Sequence, residues 1–521
     1  MKFNIDLKKD FVYFIFFIIY FYFICLVTRC LPINSDIANH MLQAQDFLSG
    51  NFFMKDWNFS GVTFLTTDLL FYDIAYLFFG ITWKSFYISS ALMIFSVVLI
   101  SFFLTFKNNE KSKLKLFLFF CFCLVFSYFY LLNIRIHSGA LFFTFIVFLL
   151  FFDVLEKYFK DKKNKIILIL FVLSIFLGAF GDFLFIIECI FPIVIYLIFS
   201  ILQENNNGNI SDKMKIFLYV VINLIFVFVA DKIYFLISKA NKHSYINNQC
   251  FVEPNRIYES FLVFINNLLN LSSGNYWDYN IGKFITYTKL ANFIIVLFGI
   301  VLVFYIIFSF FSLKKVDNIS ILLSFSVVFV FLANIFTPFN LARYTIIIPF
   351  ALYILIIRNL DYISNIFRKK NFFVIIFCIL SMFCFIGKVT GINCAKLDAK
   401  TEEMKEVVTF LKEKNLSHGF SSFWQSSVFT VLSEGKVKIR HIDFEKNIFY
   451  KSNWFCKNNW YNEDTNFILF DLNRDESFIL SFGQDEAKKN FGLPDKIFSY
   501  KSYVIFVYSK NLSTLIQKRL N

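Results

Sequence analysis

The chain has 521 residues, 58% of them hydrophobic and only 17% charged, with a mean hydropathy of +0.62 and a net charge of +14. A soluble domain runs nearer half apolar and a quarter charged, so a single soluble globular fold is excluded. The positive charge does not indicate nucleic acid: no basic stretch is interleaved with aromatics on a soluble face, and Lys and Arg collect in the cytoplasmic loops of membrane proteins in any case.

Apolar runs recur through the first 390 positions, and about 20 apolar residues cross a bilayer as a helix. The first span covers roughly 11–31. Charged residues precede it, as in a signal peptide, but no small-residue cleavage site follows, so it reads as a retained span. A long loop, about 32–83, comes next. It holds an amphipathic stretch at 39–53 and a short apolar segment at 68–83 that carries Asp68 and Asp73, expected to lie as a helix at the membrane interface. Further spans at 84–106, 114–132, 138–154, 166–181, 183–202, 216–237, 287–312, 319–337, 343–358 and 371–388 bring the number to about eleven.

The basic clusters at 2–9, 107–115, 157–165, 213–215, 314–315 and 358–370 then fall on one side, which the positive-inside rule makes the cytoplasm. The opposite, extracytoplasmic side receives the loop 32–83, the turn 133–137, residues 181–182, a loop at 238–286, the segment 338–343 and everything beyond about 390. That tail, 391–521, is polar and alternates like strands at 437–442, 466–471 and 503–508. The expected fold class is therefore an all-α polytopic membrane protein over 1–390 with a small C-terminal extracytoplasmic α/β domain. Cys250, Cys394 and Cys456 lie outside the apolar runs and leave room for one disulfide among them, but there is no CxxC and no zinc spacing.

The residues able to carry chemistry gather at the extracytoplasmic ends of the spans. Asp36 follows the first span by a few residues, where a carboxylate can take a proton from an acceptor hydroxyl while a lipid-borne group enters from the membrane. Ser35 or Asp36 also reads as a helix N-cap. His40 falls one turn later, on the same helical face. Asp182 sits in a tight turn between two spans; it too reads as a cap, and its claim to function rests on sharing a membrane face with Asp36. Arg135 and His137 occupy the turn before the fourth span, and Arg343 and Tyr344 open the tenth. An Arg at the mouth of a bundle suits a phosphate, which it grips with two parallel donors; snorkelling toward the headgroups is the plainer reading. Glu188 and Asp231 are ionisable groups inside spans, costly to place there. Trp424 and Gln425 could stack on and hydrogen-bond a sugar, or serve a helix start in a core. No HExxH, GxSxG or P-loop sequence is present.

With these residues in place the chain resembles the polytopic glycosyltransferases of the GT-C fold, among them the protein O-mannosyltransferases, the aminoarabinose transferase of lipid A and many bacterial members. The pieces that carry the resemblance run in order: Ser35-Asp36, then 45–51 (QDFLSGN), Trp57 and Thr66-Thr67-Asp68; His137; Gly181-Asp182 with Pro192; Ala342-Arg343-Tyr344 with Pro349; and 419–425 (GFSSFWQ) running on to 430–435 (TVLSEG). The resemblance implies a sugar donor on a polyprenyl phosphate and an extracytoplasmic acceptor. It makes Asp36 the general base of an inverting displacement, Arg343 with Arg135 or His137 the holders of the departing phosphate, and Asp182 the group that orients acceptor or base. Substrate contacts are expected from His40, Tyr344, Trp424 and Gln425. Some relatives carry paired acidic residues in the first loop, whereas here Asp36 lies between Ser35 and Ile37. No metal and no cofactor are expected. The implied location is the bacterial inner (plasma) membrane. Rival readings are a transporter or flippase for lipid-linked saccharides, a polymerase, and a non-catalytic scaffold. A transporter would account better for Glu188 and Asp231, but the chain shows no internal repeat.

Overall fold

The computed structural model describes residues 7–109, 111–123, 128–155, 165–203, 210–238, 241–242, 251–275, 284–312, 316–338, 340–362, 394–473 and 482–517. The first helix, α1 (Leu7–Arg29), shows why the chain needs a membrane. Phe17, Tyr20, Ile24 and Val27, spaced three and four apart, are buried, while Phe14, Ile18 and Tyr22 on the opposite face are exposed. A water-facing helix reverses this chemistry on its outer side. An outer face that stays apolar belongs against lipid.

After α1 come α2 (Ser35–Leu48), β1 (Trp57–Phe59), α3 (Leu69–Phe79), α4 (Trp83–Phe106), α5 (Lys113–Cys123), α6 (Tyr128–Asn133), α7 (Ser138–Asp153) and α8 (Lys165–Gly181). A π-helical turn, Ile186–Ile190, leads into α9 (Phe191–Gln203), followed by α10 (Ile210–Ser238), β2 (Asn241–Lys242), α11 (Ile257–Leu271), α12 (Phe284–Phe311) and α13 (Asn318–Phe336). A 3-10 turn, Ala342–Thr345, opens α14 (Ile347–Arg358). Among the described residues, five helices (α1, α4, α10, α12 and α13) are long and apolar enough to cross a membrane, and the chain is an integral membrane protein. The predicted span at 371–388 and the basic positions 157–164, 314–315 and 368–370 lie outside the described residues. The predicted span 114–132 is described as α5 and α6. The segment predicted at 68–83 gives the 11-residue α3, about 16 Å long at 1.5 Å per residue, too short to cross a hydrocarbon core of about 30 Å.

The C-terminal region adds α15 (Cys394–Glu413), β3 (His418–Ser421), α16 (Phe423–Leu432), β4 (Lys438–Glu445), β5 (Ile448–Lys451), β6 (Cys456–Lys457), β7 (Phe467–Asp471), α17 (Gln484–Phe491), β8 (Lys496–Tyr500) and β9 (Tyr503–Val507). Six strands form one sheet in the order β5-β4-β3-β7-β9-β8, parallel at β4-β3-β7 and antiparallel at the edges. All three predicted strands are present, β7 and β9 within a residue of the predicted bounds and β4 running three residues further, and each is buried on both faces over most of its length.

Two features depart from the sequence reading. A second sheet, β2-β1-β6, joins the first long loop, the segment after α10 and the C-terminal region, with Asn58 paired to Asn241 on one side and Cys456 on the other. The stretch expected to be all-α thus holds strands of two and three residues, too short to leave an alternating pattern. Cys456, one of three cysteines considered for a disulfide, is a free buried thiol; Cys250 and the Cys394 side chain lie outside the described residues.

The first loop and the C-terminal region are packed as one body. α16 lies against α2, with Ser427 Oγ donating to Asn39 Oδ1 at 2.6 Å. Asp46 accepts from Trp57 Nε1 at 2.8 Å, from Asn51 Nδ2 and from Lys457 Nζ at 2.7 Å. Two fully buried histidines sit in this body. His40 stacks on Tyr72 and meets the edges of Phe64 and Phe455, and burial pulls its pKa down to about 3. His441, against Phe423 and the Trp454 carbonyl, is pulled down by burial to about 4. Both are neutral when folded and protonate in the unfolded chain below about pH 6.5. The stability they permit is therefore present above pH 6.5 and lost as pH falls toward 4. The expected loss is about 2 kcal/mol per histidine at pH 5. Thermal melting of the purified protein at pH 7.5 and pH 5 checks this: His40→Phe should lose clearly less on acidification than wild type, and an equal loss would remove His40 from the explanation.

Candidate active site

The site is built where the start of α2, the turn before α7, the turn after α8 and the start of α14 converge. Asn34 caps α2, its side chain accepting from the Ile37 amide at 3.0 Å. The cap expected of Ser35 or Asp36 therefore belongs to their neighbour, and the Asp36 carboxylate is left for another partner. Its Oδ2 lies 3.4 Å from Nη1 of Arg343, with the two side chains 16% and 29% exposed. This is a loose pair, reachable from outside. Burial raises the Asp36 pKa, against the opposing pull of Arg343 and His137, so the carboxylate binds a proton more readily than a free one. Nε of Arg343 has no hydrogen-bond partner among the described residues.

Tyr344 turns its ring toward His137, with centroids 5.1 Å apart. His137 Nδ1 is 2.5 Å from Asp182 Oδ2, while Asp182 Oδ1 accepts from the Leu184 amide at 3.0 Å. Asp182 is sealed from solvent, so it can touch a substrate only through the imidazole it holds. An imidazole fixed by a buried carboxylate has a set orientation. The chain Asp36, Arg343, Tyr344, His137, Asp182 is continuous.

What holds the turn at His137 was not anticipated as a site element. Asp68 immediately precedes α3, yet its carboxylate caps α7: Oδ2 accepts from the His137 amide at 2.5 Å and Oδ1 from the Gly139 amide at 2.6 Å. Burial pushes the Asp68 carboxyl up to about 7, although His137 and the two amide donors pull it down. His137 itself has φ +67°, the left-handed region, sparsely populated for such residues and kept here by that carboxylate. The segment 63–68 is stitched to the end of α8 by Thr63 to the Phe180 carbonyl, Thr66 to the Leu177 carbonyl and the Phe64 amide to the Gly181 carbonyl. Such proximity requires glycine: a Cβ at Gly139 would stand 2.5 Å from the Thr67 carbonyl carbon, and one at Gly181 2.6 Å from Thr67 Cγ2. Thr66-Thr67-Asp68 before one helix and Ser138-Gly139 opening another were the available signals.

Four expected site residues stand apart from this chain of contacts. Arg135 is buried and donates to the Pro32 carbonyl at 2.8 Å, tying the end of α6 to the start of the first loop. His40 is in the aromatic core described above. Gln425 is buried, its side-chain oxygen accepting from the Ser422 hydroxyl in the first turn of α16, and Trp424 meets the edge of Phe423. Deeper in the bundle, Glu188 on the π-helical turn is fully buried, and neither carboxylate oxygen has a hydrogen-bond partner among the described residues.

This architecture, a membrane helical bundle with a long first loop packed under a small C-terminal sheet, is the GT-C-like fold. The chain is similar to ArnT from Cupriavidus metallidurans, an aminoarabinose transferase of that class. It matches the crystal structure of the apo state with a TM-score of 0.60 and 7% identity, over 98% of this chain and 100% of that one. It matches the structure of the same protein bound to undecaprenyl phosphate with a TM-score of 0.58 and 7% identity, over 97% of this chain and 99% of that one. No protein-family model and no curated protein matches the sequence.

Proposed function

We propose that this chain is an inverting membrane glycosyltransferase that moves a sugar from a polyprenyl-phosphate donor to an extracytoplasmic acceptor, a cell-envelope glycan, lipid or protein. In this reading residues 1–390 cross the bacterial inner membrane about eleven times with the N-terminus in the cytoplasm, and 391–521 form an extracytoplasmic domain over the site. The observation that carries the proposal is the accessible Asp36–Arg343 pair at 3.4 Å: a base with raised proton affinity beside a cation with donor capacity to spare. The ArnT-like fold, with one such structure bound to undecaprenyl phosphate, supports a lipid-linked donor.

Asp36 takes the proton of the acceptor hydroxyl as its oxygen bonds to the anomeric carbon from the face opposite the leaving group. The bond from that carbon to the phosphate oxygen breaks, its electron pair leaves with the polyprenyl phosphate, and the configuration inverts. Arg343 stabilises the charge gathering on that phosphate, the kind of contact that strengthens toward the transition state. Tyr344 and the Asp182-held His137 buttress Arg343 and border the cleft.

The test is transfer from radiolabelled polyprenyl-phosphate hexoses to cell-envelope acceptors by the protein reconstituted in nanodiscs. Transfer with release of polyprenyl phosphate is expected, and Arg343→Gln should lower turnover about 100-fold, with Arg343→Lys between the two. Movement of the lipid across vesicles without transfer would overturn the reading in favour of a transporter, for which the orphan carboxylate of Glu188 is the one favouring observation.

A further inference from the structure

A cavity of about 380 Å³ lies between the first loop and the C-terminal region. α2 contributes one face through Leu42, Gln45 and Asp46, continued by Ser49 at its C-terminal cap. The opposite wall is Arg440 on β4 together with Lys457, Trp460 and Glu463. Asp46 lies ten residues beyond Asp36 on α2, about 15 Å along the helix, and neither Asp36 nor Arg343 lines this cavity.

Among the described residues, the charges around it are in ion pairs with one exception. Asp46 is bonded to Lys457 at 2.7 Å. Glu463 is bonded to Lys438 at 2.7 Å. Arg440 is 7% exposed, its guanidinium lies 4.1 Å over the Trp460 ring, and its Nε and Nη1 have no hydrogen-bond partner among the described residues. Burial lowers its pKa to about 10, which leaves it charged at neutral pH. A buried cation whose donors are unmet is expensive even with the charge of Glu463 acting on it, and a guanidinium seated over an indole is placed to meet an anion. The rest of the lining mixes amide, hydroxyl and carboxylate groups with Trp57, Tyr76 and Trp460, the composition that suits a hydroxyl-rich ring with an apolar face.

We propose that this cavity binds an anionic saccharide, a sugar unit whose carboxylate or phosphate is held by Arg440. The inference concerns binding and stands apart from the transfer reaction. It is tested by calorimetric titration of the full-length protein in nanodiscs with trigalacturonate, glucose 6-phosphate, maltotriose and inorganic phosphate. One or both anionic sugars should bind, and which one identifies the anion as carboxylate or phosphate. Maltotriose should bind at least tenfold more weakly. Arg440→Gln should weaken the anionic ligand at least tenfold. Ser49→Trp, which narrows the cavity from the exposed C-terminal cap of α2 without touching Arg440, should do the same while leaving the melting temperature unchanged, so that loss of fold is distinguished from loss of the site. Equal affinity for maltotriose, inorganic phosphate binding as tightly as the sugar phosphate, undiminished binding in either variant, or no binding of any probe would each overturn the proposal.

Discussion

Asp36→Asn is expected to lower the turnover of sugar transfer by about 10²–10⁴-fold, the range for removal of a positioned general base, with the donor KM changed only a few-fold. The amide keeps the size and the oxygen that faces Arg343 at 3.4 Å, so the entrance keeps its shape, but it cannot hold the acceptor's proton. Wild-type turnover should also rise with pH through an ionisation above the usual carboxylate value, because burial raises Asp36; that limb should be absent from the residual activity of the variant. Steady-state assays in nanodiscs from pH 4.5 to 8 measure both. Should the variant keep turnover within threefold of wild type, the base is another group. His137 would then be next in line, since Asp182 is closed off behind it.

Asp68→Ala is expected to be the most damaging single change to the architecture of the site. It strips two buried amides, those of His137 and Gly139, of their acceptor. At about 1–3 kcal/mol for each orphaned buried group, the loss is about 2–6 kcal/mol, comparable to the whole stability of many proteins. Gly139→Ala attacks the same junction from the other side. Its Cβ would meet backbone at 2.5 Å, which cannot swing away as a side-chain end could, and overpacking of this kind costs about 1–3 kcal/mol. The double variant should lose less than the sum, because both changes break one contact. Thermal unfolding of the purified variants decides the matter: a melting temperature for Asp68→Ala within a degree of wild type would show that the carboxylate is not what holds the turn.

Much of this was legible because a bilayer makes simple demands. Long apolar runs, helix ends and basic clusters obey length and charge rules that survive without any knowledge of tertiary contacts, and the outward apolar face of α1 is their direct expression. Convergence of Asp36, Arg343, Tyr344, His137 and Asp182 followed from placing several span ends on one side. The division between groups that face a cleft and groups spent on the frame was not legible. Arg135 and Arg343 read alike as cations at the mouth of the bundle, yet one is consumed by the Pro32 carbonyl while the Nε of the other has no partner among the described residues. That difference depends on where a loop a hundred residues away passes, which no local pattern records. His40 likewise shares a helix with Asp36, but its surroundings are set by Tyr72 and Phe455.

The small sheet β2-β1-β6 also fixes when the molecule can work. Asn58 donates to Asn458 across a separation of 400 residues, so β1 leaves the ribosome long before its last partner exists. At about 5–20 residues per second the delay is about 20–80 s. Throughout it the first loop waits without the strand that closes over it. A chain halted by a stop codon before Cys456 would contain Asp36, His137, Asp182 and Arg343, and still lack the closure that holds the first loop in register with the rest. Early truncation should therefore abolish the proposed activity outright and leave no weakened form of it, and quality control has most of the synthesis time in which to recognise an unfinished copy.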